Sequence, residues 1–129
     1  MAGRREVAPS TIAAPAANYA HAVLSEGVSR WLHTSGVVPI APDGSVPDDI
    51  GQQAAVVWAN IAAVLHDAAL SVGDIVSVTT YAVAGQPLGE VMAARDAALS
   101  GTLTASTLVT VPALARPEWK VEISVVACA

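Results

Sequence analysis

The stretch DDIGQQAAVVWANIAAVLHDAALSVGDIVSVTTYAV, residues 48–83, decides the architecture. Ile50, Ala54, Val57, Trp58, Ile61, Val64, Leu65 and Ala68 recur every three or four positions, which lays one apolar stripe along a helix. Gln52, Gln53, Asn60 and Asp67 fall elsewhere on the wheel. Asp48 or Asp49 stands where an N-cap carboxylate can accept the free N–H groups of the first turn. Ser71-Val72-Gly73-Asp74 ends the helix, and Ile75–Val83 follows as a β-branched run stopped by Gly85-Gln86-Pro87. A long one-faced helix leading into a strand predicts a helix layered on a sheet.

Outward from this unit, a second helix is expected from about Gly89 to Leu99, with Val91, Met92, Arg95 and Leu99 along one side and Ser100-Gly101 as its stop. Thr104–Val111 and Trp119–Ala127 read as the last two strands, joined by a loop around Ala115-Arg116-Pro117-Glu118. Toward the N-terminus, Tyr19–Leu24 and Val28–Thr34 are β-type runs separated by Ser25-Glu26-Gly27, a turn composition that predicts a hairpin. A short edge strand is expected near Glu6–Ala8, followed by an extended arm rich in Ala and Pro. Pro39–Pro47 reads as a surface loop, with Asp43-Gly44 as its turn.

The order is β-β-β-α-β-α-β-β: an α/β (α+β) chain with a six-stranded mixed sheet and two helices on one face. In the last two strands both parities carry apolar residues: Val109 and Val111 beside Leu108, and Val121, Ile123 and Val125 beside Val126. Two helices cover one face only, so a second copy of the chain is the expected cover for the other.

Composition narrows the function classes. The 129 residues suit a single domain, residues 1–129. Hydrophobic residues make up 53% and charged residues 13%, which excludes a disordered chain. The net charge of −5 disfavours nucleic acid as a partner, because phosphate binding needs a basic face. Asn60, His66 and Asp67 interrupt the most apolar stretch, so no membrane span is expected. One cysteine, Cys128, forms no internal disulfide, and His21, His33 and His66 lack the close spacing of a metal motif. No metal is expected, and a cytoplasmic setting fits.

Three segments and the order of elements carry a resemblance: Asn18-Tyr19-Ala20-His21-Ala22-Val23, Thr34-Ser35-Gly36-Val37-Val38-Pro39-Ile40 and Arg116-Pro117-Glu118-Trp119-Lys120-Val121-Glu122-Ile123. Together they resemble the Rid family, also called YjgF, YER057c, UK114 or endoribonuclease L-PSP. The resemblance implies a chorismate-mutase-like subunit, a homotrimer with the open sheet faces packed into a central barrel, and a cleft between subunits for a small organic metabolite. In active members, imines or enamines of amino acids are hydrolysed without a cofactor. An arginine fork and backbone N–H groups hold the carboxylate, and a glutamate positions the water.

Carried over by position, Tyr19, Ser35, Gly36, Thr107, Leu108 and Trp119 are the expected ligand contacts, and Glu122 is the expected water-positioning carboxylate. The fork departs from the pattern. The family's Pro-Ala-Arg-Ser becomes Thr104-Ala105-Ser106-Thr107, which puts Ser106 at the arginine position. The asparagine usual in the second helix is also replaced, with Ala93 or a neighbour there. Arg95, Arg116 and Arg30 remain as sources of the missing charge.

Ser106 reads as a ligand-facing hydroxyl, as a nucleophile if Glu122 or His33 is within reach as base, or as a satisfied strand serine. His33 reads as a core or interface histidine, Trp58 as core and Cys128 as a bystander. Weak or no 2-iminopropionate deaminase activity is expected, with hydrolysis of a different imine by a Glu122-held water. The alternative is a non-catalytic binding or regulatory protein, and a ribonuclease is the least favoured reading.

Overall fold

The computed structural model describes residues 3–129. Its elements are β1 (Gly3–Val7), β2 (Ala22–Glu26), β3 (Trp31–His33), α1 (Ile50–Asp67), a 3₁₀ turn (Val72–Asp74), β4 (Ile75–Val83), α2 (Leu88–Leu99), β5 (Ala105–Val111) and β6 (Val121–Cys128). The order matches the sequence reading. Asp49 is the cap of α1, its carboxylate accepting the Gln52 N–H at 3.0 Å. Ser100 and Gly101 take left-handed backbone, φ 50° and 87°, and end α2.

The core lies between the helices and one face of a four-stranded sheet ordered β3-β6-β4-β5. Ile50, Ala54, Val57, Trp58, Ile61 and Leu65 of α1 pack with Val91 and Leu99 of α2. Against them lie Val78 and Ala82 of β4 and Val121, Ile123, Val125 and Ala127 of β6. β4 and β5 run parallel, while β6 runs antiparallel to both β4 and β3. The sheet is therefore mixed, as its connections require: α2 is the crossover between two parallel neighbours.

Three expectations need correction. The first is the hairpin: β2 pairs with β1, Glu6 opposite Val23, and β3 pairs with β6, Leu32 opposite Ala127. The backbone between them is drawn to the chain end, where the Ser29 and Arg30 N–H groups both donate to the Ala129 carbonyl at 3.0 Å. Leu32 thereby reaches the core. The expected six-stranded sheet is therefore four strands plus a separate two-stranded β1–β2 ribbon, joined to the main sheet by a parallel bridge from Ala20 to Ala105. The Arg4 guanidinium fastens the ribbon by donating to the carbonyls of Gly73, Ile75 and Leu103. The edge strand starts earlier than expected for the same reason.

The other two corrections concern α1. Val64, expected in the buried stripe, is 41% exposed. Gln53, expected off the stripe, is fully buried. Its amide donates to the Pro47 carbonyl (2.7 Å) and the Glu118 carbonyl (2.8 Å) and accepts the Lys120 N–H (2.8 Å). A polar side chain tolerates burial when each of its polar atoms is paired, and here each one is.

Among the described residues, no helix covers the sheet face away from α1 and α2. Trp31 is 55% exposed there and stacks on His33, ring centroids 6.4 Å apart. Val109 is also exposed. His33 is therefore not a core residue. Among the described residues, no helix is long and apolar enough to cross a membrane.

Candidate functional site

Strand register decides which side chains can meet, because successive residues of a strand point to opposite faces. Val78 lies opposite Ser106 and Thr80 opposite Leu108. Val78 and Thr80 are buried and Leu108 packs on the core, so Ser106 and Leu108 share the helix-side face. The alternate rows point the other way. Thr79, Thr107 and Ser124 form one of them, and Tyr81, Val109 and Glu122 the next.

At the edge of the helix-side face, a cavity of about 270 Å³ is lined by Ala17, Tyr19, Met92, Arg95, Ser106 and Leu108. The arm supplies its outer wall. Ala20 N–H donates to the Thr104 carbonyl at 2.8 Å, which sets Tyr19 beside β5. The Tyr19 hydroxyl accepts the Ala16 N–H at 3.2 Å, which leaves its proton available to the cavity. The Tyr19 ring also meets His21 edge-on at 6.2 Å.

Arg95 forms the inner wall. It sits one turn from both Val91 and Leu99 on the buried side of α2 and is 5% exposed. Its Nε donates to Asp96 Oδ1 at 3.1 Å. Nη2 lies 3.1 Å from the same oxygen but off the hydrogen-bond direction, so it makes an ion-pair contact and leaves its N–H groups without an acceptor. The other Asp96 oxygen accepts the Asn18 amide at 3.0 Å, which ties the arm to α2.

Glu122 belongs to a second cluster on the open face. Its side chain packs onto Gly36, where an added Cβ would lie 2.7 Å from Glu122 Cδ. The strand leading to Gly36 is held on both sides. Val37 and Ile123 exchange backbone bonds of 2.7 and 3.1 Å, and Thr34 N–H donates to the Val125 carbonyl at 3.1 Å. Ser35 and Gly36 sit exposed between these anchors.

The expected contacts thus divide. Tyr19, Ser106 and Leu108 come together with Arg95, while Ser35, Gly36 and Glu122 come together elsewhere, and Thr107 points to the open face. Within one chain neither Glu122 nor His33 can serve Ser106 as a base, since both lie across the sheet from it. Trp119 is buried in the loop before β6 beneath the Arg116 guanidinium, 5.0 Å from the ring centroid, and lines no part of the cavity. Arg116 and Arg30 are likewise spent elsewhere, Arg30 on the carbonyls of Ala68 and Ala69.

Two other cavities are less equipped. One, of about 200 Å³, contains Arg4 and Cys128, but Arg4 is committed to three carbonyls. The other, of about 230 Å³, lies behind Asp96 and Asn18, which bond to each other.

The profile of the family described as Endoribonuclease L-PSP matches residues 10–129, nearly the whole chain. The chain belongs to this family, the Rid/YjgF proteins. YyfB from Yersinia pestis, whose structure is described as that of a Rid-family protein, is 32% identical over 98% of each chain, with a TM-score of 0.88. YjgF from Escherichia coli is 28% identical over 96% of this chain and 98% of its own, with a TM-score of 0.71. TdcF from Escherichia coli strain K12, whose name assigns it to the reactive intermediate deaminases, is 41% identical over 55 residues. That match spans 42% of this chain and 43% of TdcF. A TdcF structure with bound serine, 24% identical overall, shares the fold with a TM-score of 0.72.

Proposed function

We propose that this Rid-family chain works as a homotrimer, and that each active cleft joins the Arg95–Ser106–Tyr19 cavity of one subunit to the Ser35–Gly36–Glu122 cluster of its neighbour. The reaction is cofactor-free hydrolysis of an imine of a small organic acid. The observation that carries this reading is the division of the site. Within each chain the cavity of Tyr19, Arg95 and Ser106 and the carboxylate of Glu122 lie on opposite faces of one sheet. The open face, where Trp31 and Val109 are exposed beside Thr79, Thr107 and Ser124, is the surface for assembly in this reading. The name of TdcF and the serine in its structure support small-molecule chemistry of this kind.

In the reaction, Glu122 accepts a proton from a water as that water adds to the imine carbon, which gives a carbinolamine. The proton passes to nitrogen, the C–N bond breaks, and ketone and ammonia leave. Imine plus water balances ketone plus ammonia. The Glu122 side chain lies against Gly36, where the absence of a Cβ leaves it room, and positioned acid–base groups contribute about 10²–10⁴-fold.

The test generates imines from a panel of amino acids with an amino-acid oxidase and follows semicarbazone formation. Wild-type protein should accelerate imine loss, and Glu122→Gln should remove most of the acceleration. Wild-type silence across the panel would refute hydrolysis and favour a second reading, a binding protein. One observation supports that second reading: the cavity's own polar groups, Tyr19, Ser106 and Arg95, hold ligands but include no base. The ribonuclease activity in the family's name fits poorly with a net charge of −5.

A further inference from the structure

The buried guanidinium of Arg95 has no role in the fold that uses its full donor set. Of its five N–H donors, Asp96 takes the one on Nε, and among the described residues Nη2 finds no acceptor. A charged donor buried without an acceptor is costly, and an anion bound in the cavity beside it would relieve that cost. The geometry points to Arg95 as the anion-binding residue of the cavity. We infer that it receives the carboxylate of a small 2-oxo or 2-imino acid, with the anion-binding charge rooted on α2 and not on β5. This rests on the proposed ligand cavity and adds to it the residue that selects the ligand.

Several features choose a carboxylate over other anions. Asp96 holds the guanidinium from its Nε side, which leaves the terminal nitrogens to form two parallel bonds to a planar carboxylate. The rest of the lining is Ala17, Met92 and Leu108, suited to a short carbon chain, with the Ser106 and Tyr19 hydroxyls as neutral partners. No second cation lines the cavity to balance a phosphate dianion. Asp96 acts as a positioning residue. Its second oxygen is anchored by Asn18, so the arm, α2 and the guanidinium are fixed together.

The test uses the full chain and pyruvate as the probe, with pyruvamide as its uncharged counterpart and inorganic phosphate as a competing anion. Binding is followed by protein-observed NMR. Wild type should bind pyruvate at least ~10-fold more tightly than pyruvamide and prefer it to phosphate. Arg95→Gln should weaken pyruvate by at least ~100-fold, the loss of two charge-assisted bonds, while leaving pyruvamide nearly unchanged. Arg95→Gln combined with Ser106→Arg should regain most of the affinity, because the charge returns to the cavity from the opposite wall.

The acid–amide comparison in wild type needs no variant to fold. Equal affinity for acid and amide, no pyruvate binding, or pyruvate binding untouched in a folded Arg95→Gln would each overturn the assignment. Pyruvate binding that depends on Arg95, in a protein silent toward every imine, would keep the assignment and refute the hydrolase. Imine hydrolysis with an unchanged KM in Arg95→Gln would do the reverse.

Discussion

Gln53 is the strongest test of how this fold is held together. It is fully buried in the first turn of α1, and it joins two separate segments: the loop before the helix through Pro47, and the loop leading into β6 through Glu118 and Lys120. Replacing it with alanine removes all three bonds, each worth about 1 kcal/mol. The Lys120 N–H is left without its acceptor at roughly 1–3 kcal/mol, while the Glu118 carbonyl, on an exposed residue, can recruit water. A total of about 4–6 kcal/mol follows, a large share of the ~5–15 kcal/mol stability of a folded chain.

Urea unfolding at one fixed protein concentration reads this directly. With an m-value of about 1–3 kcal/mol per molar, the midpoint should fall by roughly 2 M. Gln53→Met separates shape from bonding. It fills the space and makes none of the bonds, so it should recover less than about half of the loss. A Gln53→Glu variant keeps an acceptor for Lys120 but lays negative charge against two carbonyl oxygens. At pH 7 it should be at least as damaged as alanine. Its burial raises the folded-state pKa, so its deficit relative to wild type should shrink as pH falls and the carboxyl becomes a donor. A midpoint shift below ~0.5 M for Gln53→Ala, or full rescue by methionine, would show that burial of volume and not hydrogen bonding keeps Gln53 in place.

Two further outcomes follow from close contacts and charge. In Gly36→Ala the new Cβ overlaps the Glu122 carboxylate, which is the free end of a flexible side chain and can swing aside. The melting temperature should move by only a few degrees while imine hydrolysis falls by about 10- to 100-fold, and unchanged hydrolysis would disconnect Gly36 from the site. Asp43 accepts bonds from the Ser45 hydroxyl (2.6 Å) and the Ser45 N–H (3.0 Å), which hold its carboxyl below the ordinary aspartate value. Loop order contributed by this carboxylate is therefore present above the ordinary value and lost as pH falls through the lowered one. An NMR titration should show a depressed midpoint that Ser45→Ala moves back up, and a midpoint at the ordinary value would remove the effect.

What was legible in the sequence is what local chemistry dictates. The stripe from Ile50 to Leu65, Val64 excepted, the Asp49 cap and the Ser100-Gly101 stop depend on neighbours three or four residues away, and they stand in the structure. The failures lie where a distant segment outbids a near one. Ser25 and Glu26, read as a turn, are strand residues paired with β1, and only Gly27 bends, at φ 67°; the two runs separate because β1 and the chain end offer each a partner. Gln53 could be placed only by knowing that three backbone groups, from loops up to 67 residues away, converge on it.

The site follows the same division with a sharper consequence. Ser106 and Glu122 each sit on strands that were read correctly, yet strand parity and register put them on opposite faces, and only pairing with β4 reveals it. Arg95 shows the reverse case. Its spacing from Val91 and Leu99 already marked a cation inside an apolar stripe, a placement that needs a reason. The sequence offered Arg30, Arg95 and Arg116 alike as carriers of the missing charge. The structure spends Arg30 on helix-end carbonyls and lays Arg116 on Trp119, which leaves Arg95 as the one of the three with buried donors facing a cavity. A serine on β5 is therefore not evidence of a lost site, because the charge needed beside it can arrive from the helix above.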